Sequence, residues 1–189
     1  MSGRMAFPTG TAGQDRPKPL SLPRMSTRLP TDGPPITPAG MAALRARCDH
    51  LLGTERPAIV EIVSWAAGNG DRSENGDYLY GRKRMREIDR ELAYLARRMK
   101  LCRVVDPAQQ EERGRVWFGA TVAIADEDDQ RRTLTLVGDD EQDASAGRIG
   151  WSAPLARALR GAALGDLRRV HLPGGEKEWE VLAVSYPHS

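Results

Sequence analysis

The sequence predicts an α+β protein, in which an antiparallel α-helical coiled coil precedes a compact domain made of an antiparallel sheet with one helix. Three observations carry that expectation. Apolar residues recur at spacings of three and four between Met41 and Met99, the period of helices that share a seam. The pattern is interrupted by the polar stretch SWAAGNGDRSENGDYLY, from Ser64 to Tyr80, which is short enough to be the tip of a helical hairpin. From Val116 onward the alternation has period two, the mark of strands.

Composition sets the outer limits. A chain of 189 residues, 40% of them hydrophobic, has room for one ordinary domain with an extension or for two small ones. It contains no apolar run of about 18 residues, so no membrane span is expected. The N-terminus has Arg4 and Arg16 but lacks the apolar core of a secretory signal. The two cysteines, Cys48 and Cys102, do not have metal-ligand spacing and fit free thiols in a reducing compartment, so a cytoplasmic protein is expected. A net charge of +2 does not by itself mark a nucleic-acid binder, so the distribution of charge matters more than its total.

Residues 1–36 contain seven of the thirteen prolines and no sustained apolar period. Such a segment buries too little surface to offset chain entropy and reads as a disordered tail. The coiled-coil domain is expected over 37–103. Thr37-Pro38 starts its first helix, with threonine capping open N–H groups and proline at a position whose N–H would be unpaired anyway. Met41, Leu44, Cys48 and Leu51 form one stripe, Pro57 is expected to kink or divide the helix near Arg56, and Ile59, Ile62 or Val63, and Ala66 resume the stripe. In the second helix Tyr78, Met85, Leu92 and Met99 recur every seven residues, with Gly81, Ile88 and Leu95 between them. Because the tip is short, the two helices run antiparallel.

Lys83, Arg86, Arg90, Arg97 and Lys100 fall opposite that seam. A solvated face is the simple reading, but the stripe is nearly single-signed where a solubilising face mixes signs, so it suits a polyanion drawn along the rod. After a connector at 104–114, the second domain is expected over 115–187. Val116 to Ile124 reads as a strand, Asp126 to Gln130 as a hairpin turn and Thr133 to Val137 as its partner. Gly138 to Gly147 is an acidic loop, Ser152 caps a short helix from Pro154 to Arg160, and Gly161 ends it. Leu167 to Leu172, the Pro173-Gly174-Gly175 turn and Glu178 to Tyr186 close the sheet.

The tip holds Asp71, Glu74 and Asp77 within seven residues. Asp71 and Glu74 have the spacing of a capping box, which explains two carboxylates without any chemistry. One helix needs only one cap, however, and neighbouring carboxylates repel unless a cation joins them. Hard oxygens of this kind suit Mg²⁺, yet two or three do not fill an octahedral shell, so the remaining ligands would come from a partner.

The run ERPAIVEIVSWAAGNGDRSENGDYLYGRKRMREIDRELAYLARRM, followed by VVDP, closely resembles the N-terminal coiled coil of bacterial Gre transcript-cleavage factors, the GreB type in particular. VWFGATVAIADED, LVGDDEQD, SAPLARALRGAALGD and LPGGEKEWEVLAVSY look like the family's FKBP-like C-terminal domain, and GDRSEN between the two helices is the most specific signature. The resemblance implies a monomer whose coiled coil enters the secondary channel of RNA polymerase when the enzyme has backtracked. Asp71 and Glu74 would then help hold the second Mg²⁺, shared with the polymerase, and position the water that hydrolyses the RNA. Lys83, Arg86, Arg90 and Arg97 would contact the extruded RNA 3′ end, and the C-terminal domain would dock at the channel rim. The chain would be an accessory factor rather than an enzyme; a related channel-binding regulator without cleavage activity is the alternative, and the two retained carboxylates argue against it. Gly76 departs from the family, which usually has alanine there, and costs about 1 kcal/mol of helix stability.

Overall fold

The computed structural model describes residues 32–68, 76–172 and 175–187. Residues 1–31 of the tail expected over 1–36, and Pro173 and Gly174 of the expected Pro173-Gly174-Gly175 turn, therefore lie outside the described residues. The first element among the described residues is a two-residue strand, β1 (Pro35–Ile36), which pairs in parallel with β2 (Arg103–Val104), the segment that follows the hairpin. Pro35 and Ile36, read from sequence as part of the tail, are thus part of the fold, and Ile36 is fully buried. This pairing ties the start of the hairpin's first helix to the end of its second.

Helix α1 (Pro38–His50) starts as its sequence requires: Thr37 Oγ1 accepts the Gly40 N–H at 2.9 Å. It runs through a π-helical turn, Leu51–Glu55, into α2 (Arg56–Gly68). In that turn the Arg56 N–H reaches back to Leu51 O, one residue further than in an α-helix. The Pro57 ring and its missing N–H are accommodated in this way, so the helix is widened near Arg56 without being broken. Helix α3 (Gly76–Leu101) returns alongside. Arg47 pairs with Glu91, Arg56 with Asp89, and Val63 lies against Gly81, so the register falls along α3 as it rises through α1 and α2, with Glu55–Arg84 as a further pair between them. Met41, Leu44, Cys48 and Leu51 pack with Ile88, Leu92, Leu95 and Met99 in one buried cluster, as the stripes predict. Tipward of the π turn, Ala66 is buried and Ile59 and Val63 are half-buried, so Val63 and not Ile62 continues the seam.

The C-terminal domain is a five-stranded sheet in the order β5-β4-β3-β7-β6. Its strands are β3 (Thr121–Asp126), β4 (Arg131–Val137), β5 (Arg148–Gly150), β6 (Leu167–Leu172) and β7 (Gly175–Ser185), with α4 (Pro154–Leu159) packed on the sheet. The core joins Val122, Ile124, Leu136, Val170, Trp179 and Val181 from the strands to Ala156 and Leu159 from α4.

Three details differ from expectation. The sheet is mixed, because the short β5 joins β4 in parallel while the other pairs are antiparallel. Val116 and Phe118 are buried but precede the strand: Gly119, at φ +82°, turns the chain where an added Cβ would overlap Pro107. Ser152 does not cap α4; the cap position is Ala153. The Ser152 N–H and hydroxyl both donate to Asp139 Oδ1, at 2.8 and 2.9 Å, which turns the hydroxyl away from the helix. The Asp126–Gln130 turn is as expected, with Asp126 Oδ1 accepting the N–H groups of Asp128 and Gln130 at 3.1 and 2.9 Å.

The loop after β4 joins the two domains. Glu141 accepts the Thr37 N–H at 2.9 Å through Oε2, and the Thr37 hydroxyl through Oε1. Asp140, its side chain 6% exposed, pairs with Arg98 at 2.7 Å and accepts the Tyr94 hydroxyl. The acidic loop therefore grips both the first turn of α1 and the last turns of α3.

Candidate functional site

The hairpin presents two candidate features: the connection at its free end and the outer face of α3. Val63, five residues before the end of α2, lies against Gly81, five residues after the start of α3. A Cβ at Gly81 would overlap Val63 Cγ2, so glycine is what lets the helices approach so closely. Beyond this contact both helices run on by equal lengths, and residues 69–75 join their ends. Asp71 and Glu74 belong to that connection and lie outside the described residues. Asp77 is exposed in the first turn of α3, where a negative charge complements the helix dipole. Among the described residues, no group of three or more His, Cys, Asp or Glu could hold a metal ion.

The cations of α3 fall into two classes. Arg84 bonds Glu55 at 2.7 Å and Glu87 at 3.2 Å, and Arg98 bonds Asp140, so these two hold the fold together. Lys83, Arg86, Arg90 and Arg97 are all exposed, opposite the buried Gly81, Ile88, Leu92, Leu95 and Met99. Among the described residues none of the four is ion-paired with a carboxylate, and Arg90 Nε donates only to Arg86 O, at 3.1 Å. Unpaired cations along one face of a rod keep their charge available to a polyanion. The structure thus brings the four predicted residues together as a stripe leading to the acidic connection.

Sequence reasoning missed what lies beside that stripe. Ile62, Trp65, Leu79 and Tyr80 are exposed near the free end of the hairpin. The signal is in the spacing: continuing the three-four rhythm from Leu51 would bury residues 58, 62 and 65, whereas Ile59, Val63 and Ala66 face the seam, one residue later.

Among the described residues, two clefts lie at the base of the hairpin; one of about 320 Å³ carries Asp139 and Asp140 beside Tyr94, Arg97, Arg98 and Leu101, with Asp140 already engaged by Arg98 and Tyr94. A groove of about 420 Å³ between the base of the hairpin and the sheet is lined by Thr37, Thr121, Thr135, Ser185 and Tyr186, with Pro107, Gly119, Val137 and Pro187. It has no carboxylate, imidazole or thiol to move a proton or bind a metal.

Both halves of the chain match models of known families. Residues 34–104 match the N-terminal domain of transcription elongation factors, and residues 109–186 match the C-terminal domain of GreA/GreB transcription elongation factors. The chain belongs to the GreA/GreB family of transcription elongation factors. A transcription elongation factor GreB of Neisseria meningitidis serogroup B is 50% identical over 151 residues, covering 80% of this chain and 93% of that one. The GreB of Pseudomonas aeruginosa is 43% identical over 154 residues, 82% of this chain and 91% of that one. These similarities make this Gre factor one of the GreB type. Among solved structures, a GreA/GreB elongation factor from Nitrosomonas europaea is 24% identical, covers 81% of this chain and 99% of that one, and has a TM-score of 0.36. No helix among the described residues of this Gre factor is long and apolar enough to cross a membrane.

Proposed function

We propose that this Gre factor acts as a monomer on RNA polymerase, entering its secondary channel with the hairpin and stimulating the polymerase's own cleavage of backtracked RNA. The observation that carries the reading is that two carboxylates, Asp71 and Glu74, fall in the short connection between the two helices of a rod. A Mg²⁺ ion shared with the polymerase would activate the attacking water and stabilise the leaving oxygen. Asp71 and Glu74 supply hard oxygen ligands for it and orient that water, and the polymerase supplies the remaining ligands and the scissile bond. Lys83, Arg86, Arg90 and Arg97 contact the phosphates of the extruded 3′ end, without sequence preference.

The test is direct. Added with Mg²⁺ to stalled, backtracked elongation complexes, the protein is expected to shorten the RNA from its 3′ end, and alone it should cleave nothing. Asp71→Asn and Glu74→Gln are expected to abolish shortening while binding to the polymerase persists. A wild-type protein that binds and inhibits without shortening RNA would instead be a channel-blocking regulator. Reversing charge at Arg86 and Arg90 is expected to weaken action on long extruded ends more than on short ones; equal loss on both would remove the RNA-contact role.

A further inference from the structure

Trp65 and Tyr80 are 66% and 63% exposed, although both are large aromatic side chains whose burial in the seam would stabilise the hairpin. Trp65 is outside the seam because of the π turn, which takes up one extra residue and rotates α2 so that Ala66 is buried in its place. The two aromatics share a face. The Glu55–Arg84 pair marks one side of the seam, and Tyr80 lies one turn tipward of Arg84 on that side. Trp65 stands one turn beyond Ile62 on the same side of α2, while Arg56–Asp89 marks the opposite side. With Val63 against Gly81, Trp65 and Tyr80 also stand at nearly the same height along the rod.

Tyr80 borders the cationic stripe, and Trp65 stands across the seam from it on α2. Lys83, Arg86 and Arg90 follow Tyr80 down α3 at about 4.5, 9 and 15 Å along the axis, from the rise per residue. A polyanion held on those side chains has the Tyr80 ring beside it, and a strand that crosses the seam near the free end of the hairpin meets Trp65 at about the same height.

We propose that Trp65 and Tyr80 form a stacking platform for bases of single-stranded RNA whose phosphates lie along Lys83, Arg86 and Arg90. The inference rests on the reading above that RNA runs along this rod, and it adds the groups that grip the bases. Every base has a π face, so aromatic stacking beside a basic track holds a single strand in any sequence. Charge complementarity favours RNA over an apolar protein surface as the occupant, because cations with no carboxylate partner among the described residues border the platform and would be costly to desolvate against a protein wall.

Backtracked elongation complexes carrying a photoreactive 4-thiouridine at the RNA 3′ end test this with the full-length protein. A crosslink to the peptide containing Trp65 or Tyr80 is expected; crosslinks only elsewhere overturn the proposal. The Trp65→Ala/Tyr80→Ala double variant is expected to need about tenfold or more protein for half-maximal RNA shortening, the loss of one stacked base. Tyr80→Phe, which keeps the ring, should act as the wild type. Competition against labelled wild type for RNA-free polymerase separates base contact from protein docking. Unchanged competition by the double variant supports the platform; a matching loss shows a protein-docking surface and overturns it, as does RNA shortening by the double variant at wild-type concentrations. If the wild type shortens no RNA, the proposed function fails, and the crosslink still decides the platform.

Discussion

Glu55 shows how one side chain can set the response of the hairpin to acid. Its carboxylate bonds Arg84 Nη2 at 2.7 Å and Arg47 Nη1 at 2.6 Å, with His50 Nε2 at 3.4 Å. Hydrogen bonds from Arg84 and then Arg47 hold its pKa below the ordinary 4.5. A carboxylate with a depressed folded-state pKa contributes stability above its unfolded pKa, and that contribution disappears as pH falls through the folded value. Thermal melts followed by helical circular dichroism should therefore show the wild type losing stability below about pH 4.5, with a shallower slope in Glu55→Gln. Parallel slopes would refute this assignment. Gly81 is the second decisive residue. Gly81→Ala gains about 1 kcal/mol of helix propensity but forces a methyl group into Val63, and overpacking of this kind costs about 1–3 kcal/mol. A lower melting temperature is expected for Gly81→Ala, recovered when Val63→Ala is added.

Among the elements, the π turn was the hardest to anticipate. Pro57 predicted a disturbance near Arg56, and the disturbance is there, but proline alone does not say whether the helix kinks, breaks or widens. The answer depends on α3, because only packing against it reveals that the seam arrives one residue late. Deleting Gly53 removes the extra residue and keeps the stripe from Leu51 to Ala66 in phase, but it sets the Pro57 ring against an α-helical carbonyl, at about 3 kcal/mol. The Gly53 deletion should therefore melt well below wild type, and combining it with Pro57→Ala should restore the melt with Ala66 still in the seam and Trp65 still outside it, seen as tryptophan emission unchanged from wild type. The stripes of α1 and α3, the Thr37 cap and the Asp126–Gln130 turn were legible because each rests on local chemistry or on one clear period. Strands β1 and β5 were not: two or three residues carry no period, and both exist only because a distant partner offers its edge. Ser152 was misread for the same reason, since Asp139, thirteen residues away, competes for its hydroxyl. At the site, the cationic stripe was readable from helical spacing, whereas the exposure of Trp65 depends on the π turn.

For the whole molecule, the decisive feature is the grip of the acidic loop on the hairpin's base. Glu141 holds the start of α1 and Asp140 holds the end of α3, so the C-terminal domain is fixed to both helices at the base of the rod. Inserting one heptad in α2 and a matching one in α3 lengthens the rod by about 10.5 Å while preserving the seam. If the tip acts inside the polymerase as proposed, the lengthened protein should still bind but no longer stimulate RNA shortening; full stimulation would show that reach does not matter. The same grip makes the protein a depth gauge. Wherever the C-terminal domain comes to rest on a partner, the free end of the hairpin stops at one fixed distance and bearing from it, so insertion is calibrated before any contact at the far end is made.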